Sequence, residues 1–246
     1  MISKNFVNKL LGKFGVELHG KGYLKKLGRE SGKTNAFEVQ QKLTGGKAAT
    51  IFDVGANRGD VTRQYRALFP SAAIHAFEPF PDFHNGFREE FGKDPSIRLN
   101  PFALSDKRGR VDFYVNQSAD TNSLLKPAKI GASSDNMVAT RNITQIDTLT
   151  LDEYCSENHI EQIDILKMDT QGSELSILKG AASLLRDKKI GLIYTEAYFK
   201  NQYKEQPLFY EIAAWLGKFG YHLEDIYDPY YNDRFLLWCD AIFLPE

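Results

Sequence analysis

The run Ile51-Phe52-Asp53-Val54-Gly55-Ala56-Asn57-Arg58-Gly59-Asp60, followed by Ala73-Ile74-His75-Ala76-Phe77-Glu78-Pro79, limits what this chain can fold into more than any other part of it. An apolar run breaks into an acid and two glycines. A second apolar run then ends in a glutamate. This is the pattern of two parallel strands joined by a crossover helix. In open parallel sheets, ligands gather outside the carboxyl ends of the strands. Gly55 and Gly59 fall there, where glycine lets a turn tighten and a ligand approach the backbone. Asp53, near the strand end, either orients that loop or binds a cationic group. Glu78 closes the second strand, where a carboxylate accepts both ribose hydroxyls of an adenosine. Asp53, Gly55, Asn57, Gly59 and Glu78 are therefore the candidate cofactor-binding set.

The same rhythm continues along the chain. Helices are expected over 37–43, 61–68, 81–91, 174–185 and 208–219, with Pro81 at a helix start and Gly220 as a breaker. Strands are expected over 49–54, 73–77, 97–103, 163–169 and 190–196. Thr150 and Glu153 have capping-box spacing at the start of a short helix. The last strands, 221–226 and 236–244, are separated by turn residues Asp228 to Asp233 and no helix, so they form an antiparallel edge hairpin. The fold class expected is α/β, a doubly wound, mostly parallel seven-stranded sheet with that hairpin at its edge. An inserted hairpin and loop interrupts the order at about 110–146. The expected domains are a basic helical extension over 1–33 and a main domain over 34–246.

Composition excludes several classes. A formal net charge of -1 gives no bulk attraction to nucleic acid. Two distant cysteines, Cys155 and Cys239, make no ligand pattern and no disulfide framework, which suits a reducing, cytoplasmic setting. No apolar run is long enough to span a membrane, and the N-terminus lacks the apolar core of a secretory signal. Residues 1–33 carry eight Lys or Arg against two acids, with Ile2, Phe6, Leu10 and Phe14 at helix spacing. That segment is read either as a helix packing on the domain or a second subunit, or as a basic amphipathic helix on an anionic membrane surface.

The loop has no third glycine of the dinucleotide fingerprint G-x-G-x-x-G, and no phosphate-binding G-x-x-x-x-G-K-[ST] is present. An NAD-dependent oxidoreductase and a non-catalytic nucleoside-binding protein remain as the alternative readings. The pattern Asp53-x-Gly55-x-Asn57-x-Gly59 resembles the first motif of class I methyltransferases. The stretches Phe52 to Gly59, Ala76-Phe77-Glu78-Pro79, Ile165-Leu166-Lys167-Met168-Asp169-Thr170-Gln171-Gly172-Ser173-Glu174 and Asp240 to Leu244 together resemble the FkbM family of O-methyltransferases. Thr148 to Asp152 and Leu178-Lys179-Gly180-Ala181 also fit, and the likeness spans about residues 48–245. It implies S-adenosylmethionine as cofactor, Ala103 beside the adenine, and methyl transfer to a hydroxyl of a sugar, glycan or related natural product.

For such a transfer, Asp169 and Glu196, at the ends of neighbouring strands, are expected as base and orienter. They could equally hold a divalent cation, Mg or Mn. Glu174, in a first helical turn, is read as balancing the helix dipole. Thr121, Asn122 and Ser123 in the inserted loop, with Tyr198 and His222, are the candidate acceptor-binding residues. His75 is read as structural, and His84 and His159 as surface residues.

Overall fold

The computed structural model describes residues 35–128, 138–232 and 235–246. The chain divides into two compact units, Met1–Ala36 and Phe37–Glu246. The basic stretch 1–33 lies outside the described residues, as does part of the inserted loop, 129–137.

The elements run α1 (Ala36–Leu43), β1 (Thr50–Val54), α2 (Asp60–Leu68), β2 (Ala73–Phe77), α3 (Pro81–Phe91), β3 (Ile97–Asn100), β4 (Ala103–Leu104), β5 (Gly109–Asn116), a 3-10 turn (Ala119–Thr121), β6 (Thr140–Leu149), α4 (Leu151–Glu157), β7 (Ile165–Met168), α5 (Glu174–Lys179), α6 (Ala182–Arg186), β8 (Ile193–Tyr198), α7 (Phe209–Gly217), β9 (Tyr221–Asn232) and β10 (Phe235–Pro245). The main sheet has seven strands in the order β3-β2-β1-β7-β8-β10-β9. Neighbours from β3 to β8 are parallel, and β10 is antiparallel to both β8 and β9. This is the α/β sheet with an antiparallel edge hairpin that the sequence predicts. The order turns between β2–β1 and β7–β8, so the ends of β1 and β7 open the ligand crevice.

Burial explains the strand sequences. The central strands β1 and β7 are covered on both faces and are apolar at their buried positions, as buried parallel strands are, except at Asp53 and Lys167, which pair with each other. Phe52, Val54, Leu166, Met168 and Ile193 of the sheet pack with Tyr154, Ile177, Leu178, Leu185, Ile212 and Leu216 of the helices. Each such side chain, fully buried, contributes about 1.5–3 kcal/mol. Strands β4, β6 and β5 form a separate small sheet. It is fastened by a second cluster, in which Phe80 and Phe83 meet Ala103, Phe113, Val115 and Ile146.

Three expectations about elements are corrected. The strand expected over 97–103 is two strands in different sheets, because Pro101 has no N–H to donate and the chain leaves β2 there. The helix expected over 174–185 breaks after Lys179. Gly180 sits so close to Ser105 that a Cβ would stand 2.1 Å from its carbonyl oxygen. Asp152 then caps the new helix from outside, accepting from Ser183 and Leu184 N–H at 2.9 and 3.1 Å. The final hairpin is longer than its turn residues suggest, with β9 continuing through Asp228 and Pro229 to Asn232. Proline is tolerated there because β9 is the outermost strand. The capping box at Thr150 forms as read, with the Thr150 hydroxyl and the Glu153 carboxylate each bonding the other's N–H.

Candidate active site

A cavity of about 360 Å³ opens at the carboxyl ends of β1 and β7. Its wall includes Gly55, Asn57, Glu78, Ala103, Asn122 and Asp169 among the expected site residues, together with Lys167, Gln171 and Phe83.

The loop after β1 is built from below. Gly55 and Ala56 N–H both donate to the Phe77 carbonyl at 3.0 Å, which folds the loop over the end of β2. Gly55 has φ +76, and a Cβ there would meet the Asp169 carbonyl oxygen at 1.9 Å. Only glycine fits both the left-handed backbone and that approach. Asp53 does not reach the cavity. It is fully buried beneath the loop, where Lys167 Nζ sits 3.1 Å away and the Thr62 hydroxyl donates at 2.6 Å. Lys167 also donates to the Gly55 carbonyl at 3.0 Å. Burial pulls the Lys167 ammonium down, but Asp53, Asp169 and Asp240 outweigh it, so it is held above its ordinary value and stays charged. Of the two readings open for Asp53, it does both: it binds a cation, and that cation orients the loop.

Gly59 is also absent from the cavity wall. With φ +91 it starts α2 against Phe91, whose ring a Cβ would meet at 2.4 Å. Its part in the cofactor set is to let the helix begin there. Glu78 is buried, and each carboxylate oxygen accepts one backbone N–H: from Asn57 at 2.9 Å and from Phe80 at 2.8 Å. Burial pushes its pKa up to about 7 against the opposing pull of those two N–H groups and Lys167.

Beyond the donor loop lie the two expected catalytic carboxylates. Met168 pairs with Thr195, so Asp169 and Glu196 follow side by side. Between them lies a residue that the sequence reading did not single out. Gln171 Nε2 donates to Asp169 Oδ1 at 3.1 Å and to Glu196 Oε2 at 3.0 Å. Its Oε1 lies 3.2 Å from the Tyr198 hydroxyl and 2.9 Å from that of Tyr203. Tyr198 also donates to Glu196 at 2.6 Å. Burial, then the Asp169 charge, holds Glu196 well above the usual carboxylate range. Glu174 does more than balance a dipole. Its carboxylate accepts from Thr170 N–H and hydroxyl at 2.9 Å and from Gly172 N–H at 3.3 Å, which fixes the turn that presents Gln171.

The acceptor-side residues separate. Asn122 lines the cavity. Ser123 does not, but its hydroxyl donates to the Gln171 carbonyl at 2.7 Å and ties the insert to the turn after β7. Thr121 offers its carbonyl to the Tyr203 hydroxyl at 2.9 Å. Tyr198 stands behind Glu196. His222 is displaced from the site: it opens β9, exposed and opposite Leu244, at the end of the sheet away from Asp169. His84 is buried rather than on the surface, bonded to the Glu78 carbonyl at 2.7 Å. The signal was available, since position 84 follows Phe83 and precedes Phe87 on the apolar side of α3. Among the described residues no group of three or more His, Cys, Asp or Glu gathers to hold a metal ion.

Sheet order, glycine loop and Glu78 together define a class I methyltransferase-like fold. The model of the methyltransferase FkbM domain matches residues 53–223, and the chain belongs to that family. The 2-O-methyltransferase NoeI of Sinorhizobium fredii is 32% identical over 162 residues, covering 63% of this chain and 66% of its own length. The hexuronic acid methyltransferase AglP of Haloferax volcanii is 25% identical over 148 residues, covering 60% and 56%. The crystal structure of an FkbM methyltransferase from Methylobacillus flagellatus superposes with a TM-score of 0.50 at 15% identity, covering 80% of this chain and 44% of that one. The chain thus spans less than two thirds of the length of these curated relatives. The family's cofactor is S-adenosylmethionine, and the wall suits it. Asn57 Oδ1 and Asn122 Nδ2 are buried there without a hydrogen-bond partner, and Glu78 keeps free lone pairs for hydroxyls.

Proposed function

We propose that this chain transfers a methyl group from S-adenosylmethionine to a hydroxyl of a sugar or glycan. The observation that carries this reading is Asp169, which lines the donor cavity while its outer oxygen is anchored through Gln171 to Glu196. When bound, the cofactor supplies an electrophilic methyl on a positively charged sulfur. Glu78 would accept from its ribose hydroxyls, and the Gly55–Asn57 loop would line its methionine end. Asp169 takes the acceptor's proton as the new O–C bond forms and the C–S bond breaks, its electron pair remaining on sulfur. Glu196 anchors Gln171, whose amide holds Asp169. The names of the relatives, a 2-O-methyltransferase and a hexuronic acid methyltransferase, favour a sugar hydroxyl as acceptor.

The test has two parts. S-adenosylhomocysteine should raise the melting temperature and NAD should not. Mass spectrometry of a panel of glycosides and uronic acids should then show one added methyl, and Asp169→Asn should lose turnover by on the order of 10²-fold with cofactor affinity kept. An active Asp169→Asn variant would remove Asp169 from the chemistry. We further propose that residues 1–33 bring the chain to the cytoplasmic face of a membrane, where lipid-linked glycans are presented. Sedimentation of the full chain with anionic but not neutral vesicles checks that.

A further inference from the structure

We propose that Gln171 is a positioning residue whose single side-chain amide sets the geometry of both carboxylates and couples them to the acceptor insert. This rests on the transferase reading above for its catalytic meaning, but not for its first measurement. Both amide hydrogens are committed, one to Asp169 and one to Glu196, at 3.1 and 3.0 Å. An amide has two donors, so neither carboxylate can turn away without breaking a bond. The amide oxygen faces the hydroxyls of Tyr198 and Tyr203 at 3.2 and 2.9 Å. Each hydroxyl has one proton to share between Gln171 and a second acceptor, Glu196 for Tyr198 and the Thr121 carbonyl for Tyr203. Tyr203 also reaches the Thr121 carbonyl, and Ser123 holds the Gln171 carbonyl. The insert therefore reaches Gln171 directly through Ser123 and indirectly through Tyr203.

The backbone supports the same reading. Gln171 has φ 56, a conformation that few residues other than glycine and asparagine adopt readily. The next residue, Gly172, is left-handed too, with φ +105. Two such residues in succession turn the chain sharply, so the side chain points back across the end of β8 instead of out to solvent. Glu174 clamps that turn through three hydrogen bonds.

The amide also has an electrostatic task. Glu196 is surrounded by Asp169 after β7, Glu174 of α5, Asp240 and Cys239 of β10, and the hydroxyls of Tyr198 and Tyr203. Lys167, whose field also reaches Asp169, is the nearby cation named on the β7 side. Two neighbouring carboxylates repel, and an N–H donated to each favours its charged form.

The first experiment titrates Glu196 by NMR in protein with carbon-13-labelled glutamate, the signal assigned by its loss in Glu196→Gln. In Gln171→Met, which keeps length and removes the amide, the Glu196 midpoint should rise by about 1 on the pH scale. Gln171→Asn suits this backbone and is one methylene too short to span both acids, so it should move the midpoint the same way. Melting with S-adenosylhomocysteine confirms that each variant folds and keeps the donor site. In turnover, both variants should lose roughly tenfold in kcat with KM for the donor unchanged. An unmoved Glu196 midpoint in both variants overturns the role of Gln171. Absence of methyl transfer by the parent chain sinks the transferase reading instead, and leaves the titration to decide on Gln171.

Discussion

The donor loop and the insert both line one cavity, and they are held by different means. The donor loop rests on a buried ion pair, two backbone bonds to Phe77 and a glycine packed against the Asp169 carbonyl. Among the described residues, the insert is attached by a small apolar cluster, by backbone bonds from Ala128 N–H to the Gln202 carbonyl and from Lys204 N–H to the Lys126 carbonyl, and by side-chain contacts: Ser123 to Gln171, Tyr203 to Thr121, and Asp120 to Asn57 and Arg58. The Arg58–Asp120 pair is mostly exposed, with side chains 60% and 64% accessible. A part that meets the same ligand in every turnover can be fixed by burial. The insert is held in part by exposed side-chain contacts, which cost little to change.

The sharpest way to break that contrast is Lys167→Met. It leaves Asp53 buried without its cation, and should destabilise the fold by about 3–5 kcal/mol. Chemical denaturation measures this, and adding Asp53→Asn to the same chain should recover part of the loss. A mild effect of Lys167→Met would mean the donor loop is no more firmly built than the insert.

Glu78→Gln is next. The folded pKa of Glu78, about 7, lies above its ordinary 4.5. The folded state therefore favours the protonated form, and its advantage is present in acid and lost as pH rises through 7. Glutamine has no acceptor for the second of the two backbone N–H groups, so the variant should melt below the parent at pH 5, and the gap should narrow toward pH 8 as the parent loses that advantage. Binding should move the other way. The parent should gain affinity for S-adenosylhomocysteine as pH rises through 7, while the variant binds weakly at every pH. Calorimetry across pH 5–8 checks both directions.

The insert should respond weakly. Asp120→Ala removes an exposed latch, so the dissociation constant of S-adenosylhomocysteine should change by about two- to threefold and melting hardly at all. A tenfold effect would give the insert a structural weight that its exposed bonds do not suggest. His222→Ala should change neither donor affinity nor turnover, since His222 sits at the far end of the sheet. Any loss of turnover there would require an acceptor that reaches around the sheet edge.

Much of this was legible in the residues. The bounds of β2 and α3 match their sequence signals, since an apolar run and a proline at a first helical turn are local. The break at Gly180 was not legible, because its cause is Ser105, distant in sequence. Asp53 and Glu78 share one motif logic, yet one lies under the loop and the other faces the cavity. Side-chain alternation along a strand separates them only once the strand ends are known. Gln171 was hidden for a different reason. It is a neutral side chain between acids, and its importance lies in a left-handed backbone that only the folded turn reveals.

The close approach of Gly55 to the Asp169 carbonyl has a consequence for how such a chain can diversify. Where a methyl group would stand, there is already an oxygen 1.9 Å away. The donor seat and the strand that leads into Asp169 therefore behave as one casting. Neither can shift without dragging the other. A change at Gly55 reaches Asp169 directly, whereas a change in the insert reaches it through Ser123, Tyr203 and Gln171.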